Sequence, residues 1–167
     1  MRIARPSGHV LLCLVSLAAA GCVDGSPTQI EPNETTITLQ SDAGDFIGQG
    51  QTYSYTPETS SIQVNYTTNF LRVAVVGAWI GEFWIPGNAT TLQDGTYTGA
   101  VLYPSQDAAK PQMNWSSQDR DCTSVTGSFT LQNVRYTGGN LRDFDLTFEQ
   151  HCNGAAPALR GTIHVRR

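Results

Sequence analysis

The chain has 167 residues, with ten Lys and Arg against fourteen Asp and Glu, a formal net charge of −4. That balance leaves no basic patch to neutralise phosphates and argues against nucleic acid as a partner. The length suits one domain with a real hydrophobic core and is short for two.

The first segment sets the destination. Arg2 and Arg5 precede the apolar run from Val10 to Ala20, followed by Gly21 and Cys22. A charged start, a short apolar core and small residues at its end read as a secretory signal, and the core is too short to span a bilayer. Ala19-Ala20-Gly21-Cys22 resembles the lipobox of bacterial lipoproteins, with Ala19 where leucine is commoner. That resemblance implies cleavage before Cys22, leaving residues 1–21 as the signal peptide and Cys22 as the acylated first residue. Diacylglycerol plus an amide-linked chain, palmitate being one such acyl group, would hold the protein firmly where a single chain would not. Val23 rather than aspartate after the cysteine implies outer-membrane sorting in a host of Gram-negative type. The alternative is ordinary cleavage after Ala20, giving a soluble secreted protein. Loss of Arg2 and Arg5 with the leader makes the remaining chain more acidic.

Residues 22–34 form the expected tether: Asp24 to Glu34 is polar, holds two prolines and has no periodicity. Residues 35–167 form the expected folded domain. Thr36 to Leu39 is the first strand-like run, and Gln51 to Thr56 alternates with Tyr53 and Tyr55 on one face. Ile62, Val64 and Tyr66 share a face, as do Leu71, Val73 and Val75 across the Thr68-Asn69 turn. Trp79, Gly81, Phe83 and Ile85 continue the pattern until Pro86-Gly87-Asn88. Asp94-Gly95 turns the chain into Tyr97 and then Ala100 to Tyr103; Asp107 to Lys110 could form one helical turn. Val125 to Tyr136 reads as a long strand with a bulge, because Phe129 and Leu131 are out of phase with Val134 and Tyr136. After Gly138-Gly139-Asn140, Phe144, Leu146, Phe148, Gln150 and Cys152 fall on one face, with Asp145, Thr147, Glu149 and His151 on the other. Leu159, Gly161, Ile163 and Val165 close the series. These about nine short runs predict an all-β fold, a two-layer antiparallel β-sandwich.

Cys13 leaves with the signal and Cys22 takes lipid, so Cys122 and Cys152 remain. In an oxidising compartment such a pair is most simply a disulfide, and the inward phase of Cys152 agrees. The alternative is two separate thiols; zinc is weaker still, because adjacent His151 and Cys152 cannot both turn to one metal without distortion.

Trp115, Asp121-Cys122, Thr126 to Phe129, Phe144 to Cys152 and Ala158 to Gly161, with Leu39 to Asp42 and Asp45 to Tyr53 before them, resemble a small all-β domain recurring in exported bacterial proteins. The likeness covers residues 37 to 165 and implies fold and export. It brings no activity with it.

Candidate sites are few. Glu149 and His151, at i and i+2 on one strand face, could serve as acid and base or share a metal, but a structural network with Arg160 is the plainer reading; His164 is a further outward histidine. No Gly-x-Ser-x-Gly elbow exists. Asp42 and Asp45, and Asp119 and Asp121, flank turns that could gather calcium, without the spacing of a twelve-residue calcium loop; aspartates capping their own turns are commoner. Trp84 lies opposite the face of Trp79 and Phe83 beside Glu82, and Trp115 stands between Asn114 and Ser116; exposed, either ring could bind a ligand. The expectation is a non-enzymatic, lipid-anchored cell-envelope domain with a structural, adhesion or accessory role, its partners a bilayer through Cys22 and an envelope protein or glycan. The alternatives are a weak carbohydrate-binding module using Trp84 and Trp115, and a small hydrolase or metal-binding protein.

Overall fold

A computed structural model describes residues 34–87 and 89–167; the expected leader, Cys22 and nearly all of the expected tether lie outside the described residues. Ten strands follow one another: β1 (Thr36–Ser41), β2 (Thr52–Tyr55), β3 (Ile62–Tyr66), β4 (Phe70–Val75), β5 (Trp79–Trp84), β6 (Gly95–Leu102), β7 (Gln112–Ser117), β8 (Val125–Thr137), β9 (Asn140–Cys152) and β10 (Ala158–Val165). All join one sheet in the order β2-β1-β10-β9-β8-β6-β7-β5-β4-β3. The fold is all-β, as the alternation implies, but the expected pair of separate sheets is replaced by a single sheet curled into a half-barrel.

Chain connectivity enforces the curl. The two edge strands, β2 and β3, are consecutive in sequence. Flat, ten strands would hold those edges about 43 Å apart, at about 4.8 Å per strand. The link from Tyr55 to Ile62 reaches at most about 25 Å when fully extended. The sheet must bend, and its opposite limbs meet around a core of Leu71, Phe83, Trp115, Phe129, Leu146 and Phe148. The weakest seam is the parallel pairing of β6 with β7, only Val101 with Gln112 and Leu102 with Met113, beside an irregularity between Thr98 and Ala100 where Gly99 adopts φ 69°.

β7 escaped the sequence reading because Gln112, Asn114 and Ser116 dilute its alternation, yet five of its six residues are buried. Asp107 to Lys110 forms turns and no helix. The bulge in β8 is present, between Gln132 and Arg135, with Asn133 at φ 55°.

Two glycines make room for the largest rings. Gly81 pairs with Trp115, and a Cβ added there would lie 2.2 Å from the indole. Gly161 pairs with Phe148, and its added Cβ would lie 2.1 Å from that ring. Cys122 and Cys152 form the expected disulfide, their Cα atoms 5.3 Å apart and 30 residues apart in sequence, worth about 3–4 kcal/mol on a loop-entropy estimate. Gly81→Ala and Gly161→Ala should each destabilise the domain by about 1–3 kcal/mol, because neither ring can move without overpacking. Urea unfolding followed by tryptophan fluorescence measures this, and an unchanged midpoint in both variants would contradict the packing described.

Candidate functional site

Outward-facing residues differ sharply between the two limbs. On one limb, Ser54, Thr38, Thr162, Thr147, Thr130 and Thr96 stand in register across β2, β1, β10, β9, β8 and β6. Thr130 donates to Thr96 at 3.1 Å. Beside this hydroxyl row, Arg160 Nε donates to Glu149 Oε2 at 2.7 Å, Arg160 Nη1 donates to Asp42 Oδ1 at 2.8 Å, and His151 Nε2 lies 3.2 Å from Glu149 Oε1. Glu149 and His151 therefore belong to a cross-strand network with Arg160. His164 sits in a second network with Asp145 and Arg166. Among the described residues no serine or threonine hydroxyl is hydrogen-bonded to either histidine.

Three of the four aspartates accept hydrogen bonds, although one buried oxygen of Asp45, Oδ1, has no partner among the described residues. Asp42 Oδ2 accepts the Ala158 N–H at 3.1 Å, and the buried Asp45 accepts Ser41 Oγ at 2.8 Å and the Gly48 N–H at 2.6 Å. Asp121 accepts from Asn114 Nδ2 at 2.9 Å, and Asp119 is exposed. No three His, Cys, Asp or Glu among the described residues stand together as a metal site. Asp42, Asp45 and Asp121 thus brace turns and strands, while Asp119 stands exposed.

The other limb, β3-β4-β5-β7, carries a different outer face. Register places Phe70 beside Trp84 and Trp84 beside Gln112; the next row is Asn65, Arg72, Glu82 and Asn114; the next is Gln63, Ala74, Ile80 and Ser116. Trp84 is half-buried on this face, as its phase implies. Trp115 is not: it is 0% exposed and its ring lies in the core, which corrects the expectation of a second surface tryptophan. The polar neighbours that suggested exposure are themselves buried, since Gln112 and Asn114 hold loops over the sheet. Gln112 Oε1 accepts the Ser105 N–H at 2.7 Å, and its Nε2 donates to the carbonyls of Ser105 and Asp107.

That anchoring brings Tyr103 onto Phe70, with ring centroids 5.0 Å apart and nearly parallel. Phe70, Trp84 and Tyr103 thus form an aromatic strip, which sequence reasoning found only at Trp84. The signal for Phe70 was its phase opposite Leu71 and Val73; Tyr103 had none, because the Met113 carbonyl, accepting its N–H at 3.1 Å, and the loop anchored by Gln112 place it. Next to the strip, Arg72 Nε lies 3.9 Å from Glu82 Oε1. Burial pushes the Glu82 carboxyl up, Arg72 opposes this and Asp121 adds to it. Beyond that pair, the small Ala74 leaves a shallow depression of about 250 Å³, bordered by Gln63, Val76 and Ile80. Val76 and Ile80 are exposed apolar side chains.

No protein-family model, curated protein or solved structure matches this chain. The site therefore rests on its own chemistry: the half-buried Trp84 in register with Phe70, Tyr103 stacked on Phe70, and the Arg72–Glu82 ion pair one row away.

The opposite limb's networks carry a pH consequence. Asp42 is held low by the Ala158 N–H and then Arg160, and Glu149 by His151 and then Arg160. For Asp145 burial pushes upward, but hydrogen bonds from Arg166, Asn133 and His164 outweigh it. Folded values below the unfolded ones mean stability that is complete above the ordinary carboxylate range and lost as pH falls through it. The urea midpoint should therefore drop between about pH 6 and about pH 3, and Glu149→Gln with Asp145→Asn should flatten that drop. An identical pH slope in the double variant would refute the assignment.

Proposed function

We propose that this chain is a non-enzymatic cell-envelope module, anchored through an acylated Cys22, that binds a glycan on the outer face of β3-β4-β5-β7. The observation that carries the reading is Trp84, half-exposed in register with Phe70 and Gln112 and one row from Arg72 and Glu82. A sugar ring offers an apolar face to stack on such a strip and hydroxyls for the Arg72–Glu82 pair one row away and the exposed Asn65 amide in register with it. The face is shallow, which suits weak binding to a polymer better than enclosure of a small substrate. The lipobox resemblance and the Cys122–Cys152 bridge both support export, and Val23 supports outer-membrane sorting. The likeness of residues 37 to 165 to exported β domains supports the same location.

A second reading, an accessory that docks on an envelope protein, is favoured by exposed Val76 and Ile80 at the β4–β5 hairpin.

Trp84→Ala should leave the disulfide and strand content unchanged and weaken binding at least tenfold, about 1.4 kcal/mol, on a glycan array and in cell-wall pull-down. Capture of one envelope protein with no glycan binding would replace the first reading by the second. For the anchor, mass spectrometry of the mature N-terminal peptide should find Cys22 first and acylated. A chain starting at Gly21, or an unmodified Cys22, would defeat the lipoprotein reading.

A further inference from the structure

β3 ends the sheet order and, among the described residues, has no strand beyond it. In an antiparallel pair, alternate residues spend both backbone groups on one neighbour. The Val76 N–H donates to the Ser61 carbonyl at 2.9 Å, and the Thr67 N–H donates to the Phe70 carbonyl at 2.8 Å. Odd-numbered residues of β3 therefore bond to β4, while Ile62, Val64 and Tyr66 aim their N–H and C=O groups at the open side. Their side chains face the core but are only partly buried. Opposite them on β4, Leu71, Val73 and Val75 are 0–2% exposed. The core is thus only partly covered along this strand.

Natural edge strands are usually blunted by lysine, proline, a bulge or brevity. The other edge is: β2 has four residues, and the Ser41 N–H bond to the Gln51 carbonyl leaves only Thr52 and Ser54 facing outward before the turn at Thr56. β3 and its flanks, Ser60-Ser61-Ile62-Gln63-Val64-Asn65-Tyr66-Thr67-Thr68, have no charge and no proline. By residue class the segment also reads the same in both directions about Val64: hydroxyl, hydroxyl, apolar, amide, apolar, amide, apolar, hydroxyl, hydroxyl.

We propose that this edge is an interface between two copies of the chain, paired antiparallel, β3 to β3, about a two-fold axis through Val64. The palindrome is what commits the partner to a second copy. A two-fold axis sets Val64 against Val64 of the partner subunit, Ile62 against Tyr66 of the partner subunit, and Gln63 against Asn65 of the partner subunit. Apolar groups then meet on the core side and amides on the outer side, while Ile62, Val64 and Tyr66 each give and take one backbone bond. No like charges face each other, because Arg72 lies in register with Asn65 and the next residue in that row is Gln63 of the partner subunit.

Pairing would make the outer faces of both β3-β4-β5-β7 limbs continuous, with the two β5 strands about 24 Å apart. Two weak platforms on one surface would engage a polymer with avidity neither has alone. The pairing itself does not depend on what the platforms bind.

The test uses the full chain as a bacterial host processes it, purified in mild detergent. Light scattering on the native protein at tens of micromolar should give a dimer. Gln63→Lys with Asn65→Lys changes only exposed side chains, sets lysines opposite lysines, and should give a folded monomer that retains the Cys122–Cys152 bridge. Gln63→Cys with Asn65→Cys should cross-link on a non-reducing gel, and neither single substitution should, because position 63 meets only position 65. A native monomer, or singles that link as readily as the double, would overturn the proposal. So would a native monomer that takes up a foreign extended peptide along β3, which would assign the edge to another protein.

Discussion

The structure depends on two stacked rings between two glycines. Trp115 of β7 and Phe148 of β9 lie with centroids 5.0 Å apart, nearly parallel, each covering the glycine paired with it on the next strand. Strands from opposite limbs thereby approach at ring-stacking distance. Gln150, 0% exposed, completes the contact: its amide donates to the Trp115 carbonyl at 2.9 Å and accepts the Trp115 N–H at 2.8 Å. A buried side chain here does the work of a neighbouring strand, satisfying both backbone groups of one β7 residue across the core. The Cys122–Cys152 bridge closes beside it, with Gln150 Nε2 3.5 Å from Cys122 Sγ.

From this contact follows the division of labour between the limbs. β7 is held inward by Trp115, so its outward residues Gln112 and Asn114 lie at the corner of the curl, where they can only anchor loops. Gln112 fixes the segment that delivers Tyr103 to Phe70, and Asn114 fixes Asp121. The loops roof one side of the limb and leave the Phe70–Trp84 strip and the Arg72–Glu82 pair at its border. The hydroxyl-rich limb has no such roof. Its polar side chains bond one another, as Thr130 with Thr96 and Arg160 with Glu149 and Asp42, and threonine suits an exposed pleated face.

Much of this was legible in the sequence wherever a strand has one wet face. β9 alternates without a fault from Phe144 to Cys152, and both the inward cysteine and the outward Glu149 and His151 follow from that period alone. Trp84 was placed correctly for the same reason. Legibility failed where both faces are covered: β7 presents Gln112, Asn114 and Ser116 to loops rather than water, so its pattern resembles a polar segment and Trp115 looked exposed. Whether the strands make one sheet or two was not legible either. It turns on the short parallel contact of Val101 and Leu102 with Gln112 and Met113, which has no local signature.

The two edges of the half-barrel are tied down by different side chains. β2 and β3 are joined by a short link and could have paired, closing the sheet and removing both edges. Trp79 ties down β2. Its ring meets Tyr53 edge-on at 4.9 Å, and its Nε1 donates to Tyr55 Oη at 2.8 Å, so β2 is drawn across the core toward β5. At the far end of β3, Tyr66 Oη accepts the Leu141 N–H at 2.9 Å and its ring packs against Tyr136, tying that end to the β8–β9 hairpin. The two edges are thus pulled toward different partners. β2 is left with two outward backbone positions and β3 with three, uncharged and beside partly buried apolar side chains, so among the described residues the geometry that fills the core also leaves β3 the more open edge.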